Sequence, residues 1–175
     1  MTTNTTPKFN FTTSYAEAVV PVGTVHKVYN NGQTRKYVFV LNAGADAIAA
    51  GDAVSCFSVS SFTFGSVSVT AATIADLTDG TTTRALAAGV AGAAATLNEY
   101  LWLWFSGYGT HSIPTDTNIA IYQSMKIADG AKVVSPNATE QTAHHANMGI
   151  SLAADSSTAL TKAFLGGPAM FPWDG

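Results

Sequence analysis

The stretch Tyr100-Leu101-Trp102-Leu103-Trp104-Phe105, closed by Ser106-Gly107, is apolar at every position before the serine and holds two of the chain's three tryptophans. Laid out as a strand, it turns Tyr100, Trp102 and Trp104 to one face and Leu101, Leu103 and Phe105 to the other. A strand that is apolar on both faces has to be covered on both. It is therefore expected as a central strand, or as one sealed by another subunit. No catalytic pattern flanks it, so the expectation is a structural or binding protein built on a strong β core.

Working outward, the residues just before it (85–98) are ambiguous. Their alanines favour helix, but Gly89 and Gly92 would each cost about 1 kcal/mol inside one. Because an aromatic strand follows at once, a strand with a turn at Thr96-Leu97-Asn98-Glu99 is expected. Further upstream, Thr24-Val25-His26-Lys27-Val28-Tyr29 and Tyr37-Val38-Phe39-Val40-Leu41 flank Asn30-Asn31-Gly32. Asn31-Gly32 supplies the positive backbone angles of a tight hairpin turn. Between Phe57 and Thr70 the apolar alternation slips in parity, so turns or bulges are expected at Ser60-Ser61 and Gly65-Ser66.

Downstream, short strands are expected at Ile119–Tyr122, Lys132–Val134, Gly149–Leu152 and Lys162–Leu165, with one short helical turn in 140–147. A Gly-centred step into a strand occurs twice, at Ala50-Gly51-Asp52-Ala53-Val54 and Asp129-Gly130-Ala131-Lys132-Val133. The fold class is mainly β, as a small β-barrel, β-tulip-like or sandwich domain. Three parts are expected: an extended N-terminal arm (1–20), a single β domain (21–166) and an apolar C-terminal tail (167–175).

The chain has 175 residues, 47% hydrophobic and only 11% charged, with a formal net charge of −3. An average soluble domain is roughly 25% charged, so Thr, Ser and Asn must supply much of this polar surface. That composition suits either a secreted or thermally undemanding β protein or a subunit packed on a large assembly. The acidic balance gives no reason to expect nucleic acid as a partner. The weakly polar region at 85–95 is too short and glycine-broken to span a membrane. The single cysteine, Cys56, excludes an internal disulfide and reads as a small buried hydrophobe. The start of the chain lacks the pattern of a signal peptide, so synthesis in the cytoplasm is expected.

Candidate sites are few. His144-His145 have no further Cys or His at ligand spacing, and His26 and His111 are isolated, so structural or solvated histidines are expected. Asp76-Leu77-Thr78-Asp79-Gly80, with Asp116 elsewhere, lacks the ligand alternation of a calcium loop and reads as a turn. No nucleophile elbow, phosphate loop or zinc-protease motif is present. No enzymatic activity, metal or cofactor is expected. Tyr100, Trp102 and Trp104 have the make-up of a flat sugar-binding face, but the equally apolar opposite face favours buried core. Phe9, Phe11 and Tyr15 punctuate the Thr- and Asn-rich arm, which is either a frayed terminus or an arm that orders on a partner. Met170, Phe171 and Trp173 in the proline-restricted tail are anchors of the kind that dominate interfaces. They serve either a partner or the tail's own return over the domain.

The order of short phrases resembles that of the capsid decoration (cement, head-stabilising) proteins of tailed bacteriophages. It runs from the step at Ala50–Val54 through Ala88-Gly89-Val90-Ala91, the aromatic strand Glu99–Gly107 and the second step at Asp129–Val133. It ends with Met148-Gly149-Ile150-Ser151-Leu152-Ala153-Ala154 and Lys162-Ala163-Phe164-Leu165. The likeness covers roughly residues 35 to 166 and stops short of the arm and tail. It implies a non-enzymatic β domain, a homotrimer, binding to the major capsid protein on the outer surface of an icosahedral head, and residence in the virion. The alternatives are a head fibre or tail adaptor, and a carbohydrate-binding module that recognises a receptor.

Overall fold

A computed structural model describes residues 9–30, 32–43, 47–56, 68–71, 86–110, 112–115, 118–127, 134–136, 147–154 and 159–166. Among them there is no helix. The elements are β1 (Val25–Asn30), β2 (Gln33–Asn42), β3 (Ala53–Cys56), β4 (Ser68–Ala71), β5 (Leu86–Ala91), β6 (Tyr100–Gly109), β7 (Ile113–Pro114), β8 (Ser124–Ile127), β9 (Val134–Pro136), β10 (Asn147–Ser151), β11 (Ala159–Leu160) and β12 (Ala163–Gly166).

The apolar stretch from Tyr100 is β6, and it is the hub of the fold. Along one edge it pairs antiparallel with β2, from Arg35↔Gly107 to Leu41↔Tyr100. Along the other it pairs first with β5, at Val90↔Trp104 and Ala91↔Leu103, and then with β12, at Ser106↔Gly166 through Gly109↔Ala163. The two faces divide as the alternation requires. Leu101, Leu103 and Phe105 join Val38, Val40, Ile48, Val54, Ala91 and Ala95 in one buried cluster. Trp102 and Trp104 join Tyr37, Phe39, Ala53, Val90, Met125, Met148, Ala163 and Leu165 in the other.

One sheet of ten strands runs β1-β2-β4-β3-β5-β6-β12-β10-β8-β9, with β2 also bonded to β6. Pairing therefore links β2, β4, β3, β5 and β6 in turn about the leucine cluster, with its thinnest seam between β2 and β4. Only Leu41↔Ser68 and Asn42↔Val69 join β2 to β4. The remaining strands leave this group, β1 from β2 and β12-β10-β8-β9 from β6, so among the described residues the sheet is open and the barrel is not closed. The mainly-β class expected from the sequence is what the chain adopts. Strands β7 and β11 form a separate pair.

The hairpin lies where Asn31-Gly32 places it. Val25↔Val38 through Asn30↔Gln33 pair across a two-residue loop, with Gly32 at φ 77°. The first Gly step also turns as expected. Gly51 has φ 91°, and the Asp52 carboxylate accepts from the Ala49 N–H at 2.7 Å before β3 begins. From Leu86 the chain gives the expected strand and then the turn: the Thr96 N–H donates to Glu99 Oε2 at 2.6 Å, and Asn98 adopts φ 66°.

One strand expectation fails. Ile119–Tyr122 is a turn, and the strand starts only at Ser124. The Ser151 hydroxyl donates to the Ala120 carbonyl and accepts from the Gln123 N–H at 3.0 Å. The Gln123 side chain accepts from the Ala120 N–H at 2.8 Å, and Tyr122 takes φ 63°. Backbone groups that a ladder would use are thus bound by side chains, which is how local polar groups displace strands. The parity slip within 57–67, the second Gly step, the helical turn over 140–146, His111, His144-His145, the Asp76–Gly80 loop, Asp116 and the Cys56 side chain lie outside the described residues.

Candidate functional site

The residues singled out in the arm converge on one place. Phe11 stacks on Tyr37 with centroids 4.3 Å apart and meets Trp102 edge-on at 5.3 Å. Phe9 meets Trp102 at 5.2 Å and the His26 ring edge-on, also at 5.2 Å. Tyr15 meets Phe39 edge-on at 5.9 Å, and Phe39 stacks on Tyr100 at 5.7 Å. Such pairs are each worth about 0.5–1.5 kcal/mol beyond the area they bury. The arm therefore lies across the chain's own sheet, with Phe9, Phe11 and Tyr15 half-buried there. Its ring contacts make His26 part of the same cluster.

Local sequence explains how the arm gets there. The Asn10 side-chain carbonyl accepts from both the N–H and the hydroxyl of Thr12, at 3.0 and 2.8 Å, turning the chain between the two phenylalanines. The Tyr15 hydroxyl donates back to the Asn10 carbonyl at 3.0 Å. Tyr15 and Tyr100 then exchange both backbone hydrogen bonds at 2.8 Å. Gly92 makes this crossing possible, because a Cβ there would run into the Phe11 carbonyl oxygen.

Under the arm, Trp102 is fully buried and its indole N–H has no partner among the described residues. A buried donor left so costs roughly 1–3 kcal/mol, which the surrounding rings must offset. Trp104 is equally buried but donates to the Ser106 carbonyl at 3.1 Å. Gly109 is needed here, since a Cβ would enter the Trp104 ring. The flat aromatic face that a sugar would need is thus closed, and only Tyr100 of the three keeps partial exposure. Among the described residues no group of three His, Cys, Asp or Glu is placed to hold a metal ion. Met170, Phe171 and Trp173 lie outside the described residues.

What the sequence reading did not single out is an apolar row on the outer side of β12 and β10. Phe164 lies directly opposite Ile150 on one side and Tyr108 on the other. Phe164 is 48% and Ile150 42% exposed, while their neighbours Ala163, Leu165 and Met148 are buried. Beyond the row, the turn before β8 holds out Ile121 and a 73%-exposed Tyr122. The sequence carries no such signal, since Ala163, Phe164 and Leu165 are all apolar; the observed alternation of buried and exposed residues along β12 shows that Phe164 points away from the core. Comparison with family models, with curated proteins and with solved structures found no match to this chain.

Proposed function

We propose that this chain is a non-enzymatic structural protein of a virion, one that decorates and stabilises the outer surface of a tailed-phage head by binding its major capsid protein. The order of phrases along residues 35 to 166 motivates the reading. The observation in the fold that favours a docking role is the exposed pair Phe164 and Ile150, aligned with the half-buried Tyr108, on a sheet whose other large apolar groups are mostly covered. Single exposed apolar residues need no explanation, but aligned ones point to an interaction surface. A rigid three-strand platform of this kind can dock without an ordering cost in its backbone. Trimerisation belongs to the same proposal, since a symmetric oligomer would engage several shell subunits at once.

The arm and tail enter this reading differently. Phe9, Phe11 and Tyr15 are half committed to the chain's own core, so their contribution to a partner is the edge they still show. Met170, Phe171 and Trp173, in the tail that follows β12 in sequence, are in this reading its candidate anchors to the shell. Co-sedimentation with purified heads tests the proposal: the wild-type chain should pellet with heads, and Phe164→Asp with Ile150→Asp should remain in the supernatant with an unchanged melting temperature. Equal pelleting of both would remove the row from the binding surface, and pelleting of neither would overturn the capsid reading. The glycan-binding alternative predicts strong tryptophan quenching by soluble glycans, for which the burial of Trp102 and Trp104 gives no basis.

A further inference from the structure

Strand β1 forms one end of the ten-stranded sheet. Its hairpin closes on the pair Asn30↔Gln33 across a two-residue loop, and such loops close on a hydrogen-bonded pair. Bonded and non-bonded pairs alternate along an antiparallel ladder, so Asn30, Val28 and His26 direct their backbone groups to β2. The bond from the Phe39 N–H to the Thr24 carbonyl at 2.9 Å keeps that phase. Val25, Lys27 and Tyr29 therefore turn their N–H and C=O groups outward, and among the described residues no backbone group bonds to them.

The same three residues share a face. Tyr29 is 75% and Val25 39% exposed, and Lys27 between them is exposed as well. Directly across the ladder from Lys27, on the same face, stands Lys36. Lys27 and Lys36 are two of the eight Lys and Arg residues of a net acidic chain, and no Asp or Glu occurs anywhere from residue 18 to residue 45. Two lysines facing each other across the ladder give this edge of the sheet a positive face.

From this the geometry points to β1 as a docking edge for an extended, acidic segment of another protein, added antiparallel as a further strand. The free N–H and C=O groups of Val25, Lys27 and Tyr29 supply the ladder, as in other cases of strand addition. A carboxylate opposite Lys27 pairs with its exposed ammonium, and apolar residues two positions to either side cover Val25 and Tyr29. A second copy of this chain is the wrong occupant for such pairing, because its own Lys27 would meet the same charges; lysines on edges oppose self-pairing in this way. The inference concerns a different surface from the Phe164 row and stands whether or not the capsid reading does.

The test uses the full-length protein, labelled for amide NMR, titrated at low salt with the capped peptide Thr-Val-Thr-Glu-Thr-Val-Thr and with its Glu-to-Lys counterpart. The glutamate peptide should shift the amides of Val25, Lys27 and Tyr29 with millimolar affinity, and the lysine peptide should bind about fivefold more weakly. Lys27→Glu should reverse that preference. Val25→Pro, which removes an outward N–H and leaves the inward ladder intact, should weaken both peptides while the β1–β2 amide shifts stay in place. Shifts centred elsewhere, no shifts at all, or equal binding of the two peptides would overturn the inference and leave Lys27 as a guard of the edge.

Discussion

Strands β6 and β12 are neighbours in register, with Leu165 opposite Gly107, yet one is sealed on both sides and the other on one. From Leu101 to Phe105, β6 is buried at every residue, whereas β12 alternates buried and exposed. The sequence of each matches its surroundings. Tyr100–Phe105 is apolar throughout because the leucine cluster packs on one face while the arm and the inner side of β8, β10 and β12 cover its tryptophan face. Ala163 and Leu165 face that core, and Phe164 stands half exposed on the opposite side beside Ile150 and Tyr108. The difference separates two uses of a large apolar side chain, one that holds the fold and one that is free to hold something else.

Truncation on the two strands should break the comparison if it is wrong. Trp104→Ala removes a fully buried ring that packs over Gly109, and should cost about 3–5 kcal/mol in chemical denaturation. An effect as small as that of a surface substitution would mean the tryptophan face is not core. Phe11→Ala lies between the extremes. Its ring is half-buried on Tyr37 and Trp102, so a loss of about 2 kcal/mol is expected, with red-shifted tryptophan emission as the arm loosens. No change in either would return the arm to a frayed terminus. Ser151→Ala withdraws the hydroxyl that both donates to the Ala120 carbonyl and accepts from the Gln123 N–H, and should cost about 1–3 kcal/mol. Faster amide exchange at Tyr122 and Gln123 is the accompanying sign. The smallest effect belongs to Phe164→Ala, expected within about 0.5 kcal/mol of wild type. A large loss there would show that Phe164 is covered after all.

These elements also show what can be read from residue order alone. The two faces of β6 follow directly from a period of two, and Asn31-Gly32 carries its turn chemistry within the loop itself. Residues 96–99 are likewise legible, since Glu99 binds the Thr96 N–H three residues away. Ile119–Tyr122 was not legible, because the hydroxyl that converts it to a turn comes from Ser151, on another strand. The arm's course was hidden for a similar reason. Phe9, Phe11 and Tyr15 are visible as aromatic residues in a polar segment, but their destination depends on Tyr37, Phe39 and Trp102 being gathered by strand pairing and on Gly92 leaving room. The Phe164 row needs register between β6, β12 and β10, which short degenerate strands do not specify one by one. Its members were in view, and their alignment was not.

The central claim is that the open apolar surface serves a shell. Quantitative mass spectrometry of purified virus particles from the source, counting copies of this chain against the major shell protein, tests it most directly. The account predicts a ratio near one, as expected of a protein that covers the capsid lattice. A few copies per particle, or none, would contradict it.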